Sequence, residues 1–439
     1  MKQFYPNIPK IEYEGAKSKN MLAFKHYNKD EKVMGKTMAE HLRFAFAYWH
    51  GSNYDGTDMF GTGTINRTYG ENEARSRAKA KADASFELMD KLGFDYFCFH
   101  DVDICEPSPT LSELKENVAY MTDYLKEHMD RTGIKLGWGT ANVFSAPRYQ
   151  HGAATSPYLN SYASAACQVK NALDATIKLG GIGYTFWGGR EGYETLLNTD
   201  MAFELDNLAR FYKMAVEYGR AQGFKGTFYI EPKPKEPTMH QYDFDASTAI
   251  SFIQKYGLQD DFKLNLEGNH ASLAGHTFEH EIRVARINGL LGSLDANHAE
   301  TMVGWDTDEF PKDVRSVALS MYEVLKNGGL EYGVINFDSK LRRPSSDELD
   351  NAIGLISGMD TFALGLKLAA KIIEDGRIDS FIEERYSSYN EGLGAKVVAG
   401  TASLEELEQY ALNLEEKPLP SGRQEYLNAI INDLMCAGL

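Results

Sequence analysis

The chain has 439 residues, 43% hydrophobic and 25% charged, a globular composition too apolar for disorder. Lys and Arg number 46 and Asp and Glu 63, a net charge of −17 that argues against nucleic acid and anionic membrane surfaces as partners. Cys98, Cys105, Cys167 and Cys436 form no CxxC pair, which argues against a zinc knuckle or disulfide framework and fits reduced thiols in a cytoplasmic protein.

The first apolar segment, 44–48 (FAFAY), reads as a strand buried on both faces. An Ala- and Lys-rich helix follows over 73–92 and stops at Gly93, a residue suited to a left-handed cap. A strand at 95–100 (DYFCFH) precedes a helix over 111–132, where Thr110 and Glu113 have capping-box spacing and Gly133 ends the run. Strands at 135–140 (KLGWGT) and 183–188 (GYTFWG) come next, then a helix over 202–222 before Gly223. Strands at 226–231 (GTFYIE), 262–267 (FKLNLE) and 290–295 (LLGSLD) follow. A helix over 311–327 opens with Pro311, a residue favoured at the first helical position, and the eighth strand is 332–338 (YGVINFD). Strand starts lie 28 to 51 residues apart, room for one crossover helix each and too long for hairpins.

Eight strands alternating with helices predict an α/β fold, a (β/α)8 TIM barrel. An open doubly wound sheet is the other arrangement of such units, but the segment after the first strand, WHGSNYDGTDMFG, lacks the GxGxxG phosphate loop. From about residue 376 the chain is strand-poor and charged, with an amphipathic stretch at 403–414 and turn signals at 419–422. The expected division is a catalytic barrel with an N-terminal extension, 1–375, and a C-terminal helical arm for subunit contacts, 376–439. The N-terminus has no apolar signal-peptide core, and no run approaches the roughly 18 apolar residues of a membrane helix.

Almost every strand ends in a polar or aromatic residue. These are Trp49 and His50; His100 with Asp101 and Asp103 after it; Thr140 and Asn142; Trp187; Glu231 and Lys233; Glu267 and His270; Asp295; and Asp338. Strand C-termini of a barrel converge on one mouth. Four acids gathered there repel by several kcal/mol unless a divalent cation joins them. Asp306 and Asp308, two apart in WDTD, point the same way in an extended loop. Six carboxylates and one imidazole, His270, suit two ions rather than one. Oxygen-rich sites select Mg²⁺ or Mn²⁺, and the imidazole admits Co²⁺.

Each element also has a plainer reading. Strand-end acids are often helix N-caps. Asp306 and Asp308 alone can be an exposed loop, Trp49 and Trp187 core aromatics, His100 with Asp103 a surface pair, and Lys233 a counter-charge. His276 and His280 in HTFEH have i, i+4 spacing without the HExxH order, and read as structural.

The segments CFHDVDI (98–104), WGGREGYETLLNTD (187–200), YIEPKPKEPT (229–238), AGHTFEHE (274–281), GWDTDEF (304–310) and NFDSK (336–340) resemble the xylose isomerase family, class II branch, over nearly the whole chain. The resemblance implies a barrel with a C-terminal helical arm, a homotetramer, and interconversion of D-xylose and D-xylulose, often with D-glucose and D-fructose. Another divalent-metal sugar isomerase or epimerase on the same barrel is the alternative. It implies one metal held by Glu231, Glu267, Asp295 and Asp338, and a second by Glu267, His270, Asp306 and Asp308. It assigns ring opening to His100 oriented by Asp103, and a hydrogen bond to the open sugar's carbonyl oxygen to Lys233. Trp49 and Trp187 wall the path of a 1,2-hydride shift, and Phe60 reaches into a neighbouring subunit's site. Met59, Gly268, Met239 and the stretch 297–306 depart from the family's usual residues, and none is an implied ligand.

Overall fold

The computed structural model describes residues 2–437. Eight parallel strands close into a barrel in sequence order: β1 Phe44–Ala47, β2 Tyr96–His100, β3 Lys135–Thr140, β4 Gly183–Trp187, β5 Thr227–Glu231, β6 Phe262–Glu267, β7 Leu291–Asp295 and β8 Ile335–Phe337. Each matches its expected segment to within three residues at either end. A helix follows each strand: α1 Ala74–Leu92, α2 Leu111–Thr132, α3 Leu159–Lys178, α4 Met201–Ala221, α5 Ala246–Tyr256, α6 Phe278–Ile287, α7 Val314–Lys326 and α8 Glu348–Asp375.

The strand pleat decides what reaches the mouth. In β2, Phe97 packs outward on Phe86 of α1, while Cys98 packs inside with Ala45, Trp138, Tyr229 and Val334. His100 therefore leaves the end of β2 on the inner face. The register aligns Trp187 with Glu231 and Glu267 with Asp295, so strand-end side chains share one level.

Helix termini follow the caps in the sequence. Gly93 takes φ 73° after α1, and Thr110 with Glu113 forms a complete capping box on α2, worth about 1 kcal/mol for the cap alone. The helix expected from Pro311 starts later, at Val314. Asp313 is its N-cap, accepting from the amides of Arg315 and Ser316, and Pro311 lies outside the helix. Helix α8 is an apolar helix interrupted by Asp360 and Lys367. By length and composition it is apolar enough to cross a membrane, but 72% of its apolar window is buried in the protein.

The described residues divide into two compact units after Gly365. The second contains short helices at Arg377–Arg385, Gly392–Val398, Leu404–Leu412 and Gln424–Cys436. Ser403 and Glu406 cap the helix expected within 403–414, whereas 419–422 forms no turn. Leu404, Leu412 and Leu419 are exposed.

Candidate metal centre and active site

The acids at the ends of β5 to β8 meet inside the mouth. Glu231, Glu267 and Asp295 are 5% exposed or less, and oxygens of these three and Asp338 all lie within 4.8 Å of one another. Glu267 also groups with Asp306 and Asp308, within the same span. His270, from the short helix Gly268–Leu273, puts Nε2 3.1 Å from Glu267 and 3.3 Å from Asp306. The structure thus gathers all seven expected ligands in two groups that share Glu267. The N-cap reading fails for Glu267, which precedes that helix but makes no side-chain cap.

Two like charges 4 Å apart cost about 4 kcal/mol at an effective dielectric of about 20. Burial and this mutual repulsion push the carboxyls of Glu231, Glu267 and Asp295 well above the ordinary range. Asp306 goes the other way: burial opposes ionisation, but the Lys233 ammonium and the His270 ring together outweigh it and hold its carboxyl well below the ordinary range. Glu267 Oε2 and Asp306 Oδ1 are buried with no hydrogen-bond partner. Orphan oxygens within a ring of carboxylates are what a hard cation satisfies, so the residues present fit divalent ions.

Three asparagines fix the carboxylates from behind. Asn265 Nδ2 donates to Glu231 at 3.0 Å and Asp295 at 2.6 Å. Asn336 Nδ2 donates to Asp295 at 2.7 Å. Asn297 Nδ2 reaches Glu267 at 2.7 Å and Asp308 at 3.2 Å. Sequence reasoning missed them, together with Trp138 and Lys340, and it placed His50 at the mouth without giving it a role. The signal was there: each asparagine stands two residues from a strand-end acid, and Asn265 shares a side of the β6 pleat with Glu267.

Opposite the acids lies the His100–Asp103 pair. Asp103 Oδ2 accepts from His100 Nδ1 at 2.9 Å and from the His100 amide, while Oδ1 accepts from Asn53. Nδ1 is therefore the donor, which leaves Nε2 as the imidazole's free nitrogen. Asp101 serves structure, accepting from Gln168 and the amides of Val102 and Asn142. Lys233 Nζ is 2.6 Å from Asp306 and 5.2 Å from the centre of the Trp187 ring. Burial disfavours its charge, but Asp306 outweighs that and raises its pKa.

These groups surround a cavity of about 190 Å³ whose walls include Trp49, Trp138, Phe144 and Trp187. A larger cavity of about 810 Å³, lined by Arg67, Arg77 and Lys81, contains none of the carboxylate ligands. Phe60 is 83% exposed and does not line the site of its own chain. In HTFEH, His276 stacks on His280 and pairs with Asp245 at 3.2 Å, a contact that anchors the start of α5. Gly268 has a local reason: a Cβ there would lie 3.0 Å from the Asn297 carbonyl oxygen.

The chain is 56% identical to a xylose isomerase of Enterococcus faecalis over 98% of its own length and 99% of that protein's. It belongs to the xylose isomerase family. A xylose isomerase of Geobacillus thermodenitrificans is 55% identical over 98% of this chain and 97% of the relative. Residues 382–435 match the family model for the XylA2 C-terminal domain. A D-psicose 3-epimerase of Clostridium cellulolyticum superposes with a TM-score of 0.50 at 12% identity, over 74% of this chain and 99% of that one, a likeness of fold alone. Family and barrel together make the chain an aldose–ketose isomerase rather than a binding barrel, and sugars are its substrates.

Proposed function

We propose that this member of the family interconverts D-xylose and D-xylulose, with D-glucose and D-fructose as slower substrates, and that it holds two divalent cations, Mg²⁺ or Mn²⁺, with Co²⁺ also accepted. The carrying observation is the pair of buried carboxylate groups that share Glu267 beside Lys233 and the His100–Asp103 pair. Glu231, Glu267, Asp295 and Asp338 would hold one ion; Glu267, His270, Asp306 and Asp308 the other. Bound there, the cations supply Lewis-acid polarisation of the sugar oxygens.

The protein's own groups have distinct tasks. With Nδ1–H fixed by Asp103, His100 moves a proton at Nε2 between the ring oxygen and the anomeric hydroxyl as the sugar opens. Lys233 donates to the carbonyl oxygen of the open chain. Trp49, Trp138, Phe144 and Trp187 exclude water, which favours direct hydride migration from C2 to C1, with the O2 proton leaving and O1 taking one up, over an enediol whose proton would exchange. We assign residues 376–439 to subunit contacts in a homotetramer, with Phe60 entering a neighbour's site; its exposed ring supports this.

The test is product analysis with D-xylose, D-glucose and D-ribose, each ion being added back to stripped protein. Ketose formation, fastest from D-xylose, is expected. An epimer in place of a ketose would overturn the reading in favour of an epimerase.

A further inference from the structure

His50 has no part in the ligand set, yet it touches both halves of it. Its Nε2 lies 2.8 Å from Asp338 Oδ1 and 3.3 Å from Asp308 Oδ2. Asp338 belongs to one carboxylate group and Asp308 to the other. The two acids come from different elements, the end of β8 and the loop after β7, and His50 comes from a third, the turn after β1.

The backbone at His50 is unusual in the way this requires. Trp49–Asn53 forms one π-helical turn directly after β1, closed by the Tyr54 amide on the Trp49 carbonyl at 2.8 Å. Consecutive residues of a strand or an α-helix point apart. Here Trp49 Nε1 and His50 Nε2 both reach Asp338 Oδ1, at 2.7 and 2.8 Å. Gly51 makes the turn possible: a Cβ there would lie 2.0 Å from the Phe46 ring. Single π-turns recur at functional sites for this kind of placement.

We propose that His50 is a positioning residue that donates Nε2–H to Asp308 and Asp338 and thereby sets the affinity of both cation sites together. This rests on the two-cation reading above. A nitrogen that donates to carboxylates cannot also ligate, so the proposal excludes His50 as an eighth ligand.

The experiment titrates metal-stripped protein with Mn²⁺ by calorimetry. Groups that orient metal ligands typically contribute about 10- to 100-fold in affinity. His50→Phe, which keeps a ring and loses the donor, is expected to weaken both binding steps by about that factor. His50→Gln, whose amide donates from near the Nε2 position, is expected to restore most of the affinity. Where His50→Phe does not fold, His50→Asn serves, since its amide stops short of both carboxylates; it is expected to bind as weakly. Wild-type affinity in the Phe or Asn variant would overturn the proposal. So would a Gln variant as weak as Phe, which would make the imidazole itself a ligand. A wild-type chain that takes up no Mn²⁺ would overturn the two-cation reading, and His50's role with it.

Discussion

Lys233 Nζ and Asp306 Oδ2 stand 2.6 Å apart, so one carboxylate serves both the ammonium beside the sugar cavity and the candidate cation group. The proposed function gives Lys233 the carbonyl oxygen of the open sugar, where negative charge develops. Replacing it with Met keeps length and removes the charge. Lys233→Met is expected to lower kcat by about 100- to 1000-fold, as for loss of a preorganised donor. Calorimetry should still find two Mn²⁺ sites. Retained turnover would remove the assigned role.

The asparagine clamps predict a different signature. Asn297 links Glu267 and Asp308. Asn297→Ala leaves every ligand in place and frees their rotamers. Metal affinity is expected to fall about 10- to 100-fold, with kcat at saturating metal changed far less. Equal losses in affinity and saturated kcat would show that Asn297 acts on the substrate instead.

The raised carboxyls of Glu231, Glu267 and Asp295 hold protons in the metal-free mouth at pH values where ordinary carboxyls are ionised. Cations bind the ionised forms, so binding expels protons and tightens as pH rises. Calorimetry at one pH in buffers of different ionisation enthalpy should give a heat that changes linearly with that enthalpy, with a slope equal to the number of protons released. A buffer-independent heat would contradict it.

Asp243 tests the electrostatics of the fold away from the acids. Burial pushes its carboxyl up to about 8, and its Oδ1 has no partner. Its folded value exceeds its unfolded one, so the native state binds the extra proton. The stability this proton adds is complete below the unfolded pKa, near 4, and is lost as pH rises through about 8. Asp243→Asn, neutral at every pH, is expected to flatten the melting temperature against pH between about 5 and 8. An unchanged slope would show that Asp243 is ionised in the fold.

The sequence made the barrel legible because its strands are buried on both faces and read as short apolar runs. Capping residues marked the helix limits. Pro311 misled because its own preference was overruled by Asp313, two residues on, whose carboxylate takes the first free amides. Helix α8 escaped notice as a candidate span because Asp360 and Lys367 interrupt its apolar run. The candidate ligands were legible because acids at four successive strand ends repel one another unless a cation or protons neutralise them. Asn265, Asn297 and Asn336 were not, since an amide carries no charge to balance. His50 was legible as a strand-end residue, but its reach to Asp308 and Asp338 was not, because strand periodicity does not anticipate a π-turn.

In the proposed reaction, ketose formation needs two ions held by these carboxylates. The direct measurement titrates metal-stripped protein with Mn²⁺ while following D-xylulose production from D-xylose and metal content per chain. No turnover in chelator, and a plateau reached at two ions per chain, is the predicted result. Full activity in the stripped protein, or a plateau at one ion, would contradict it.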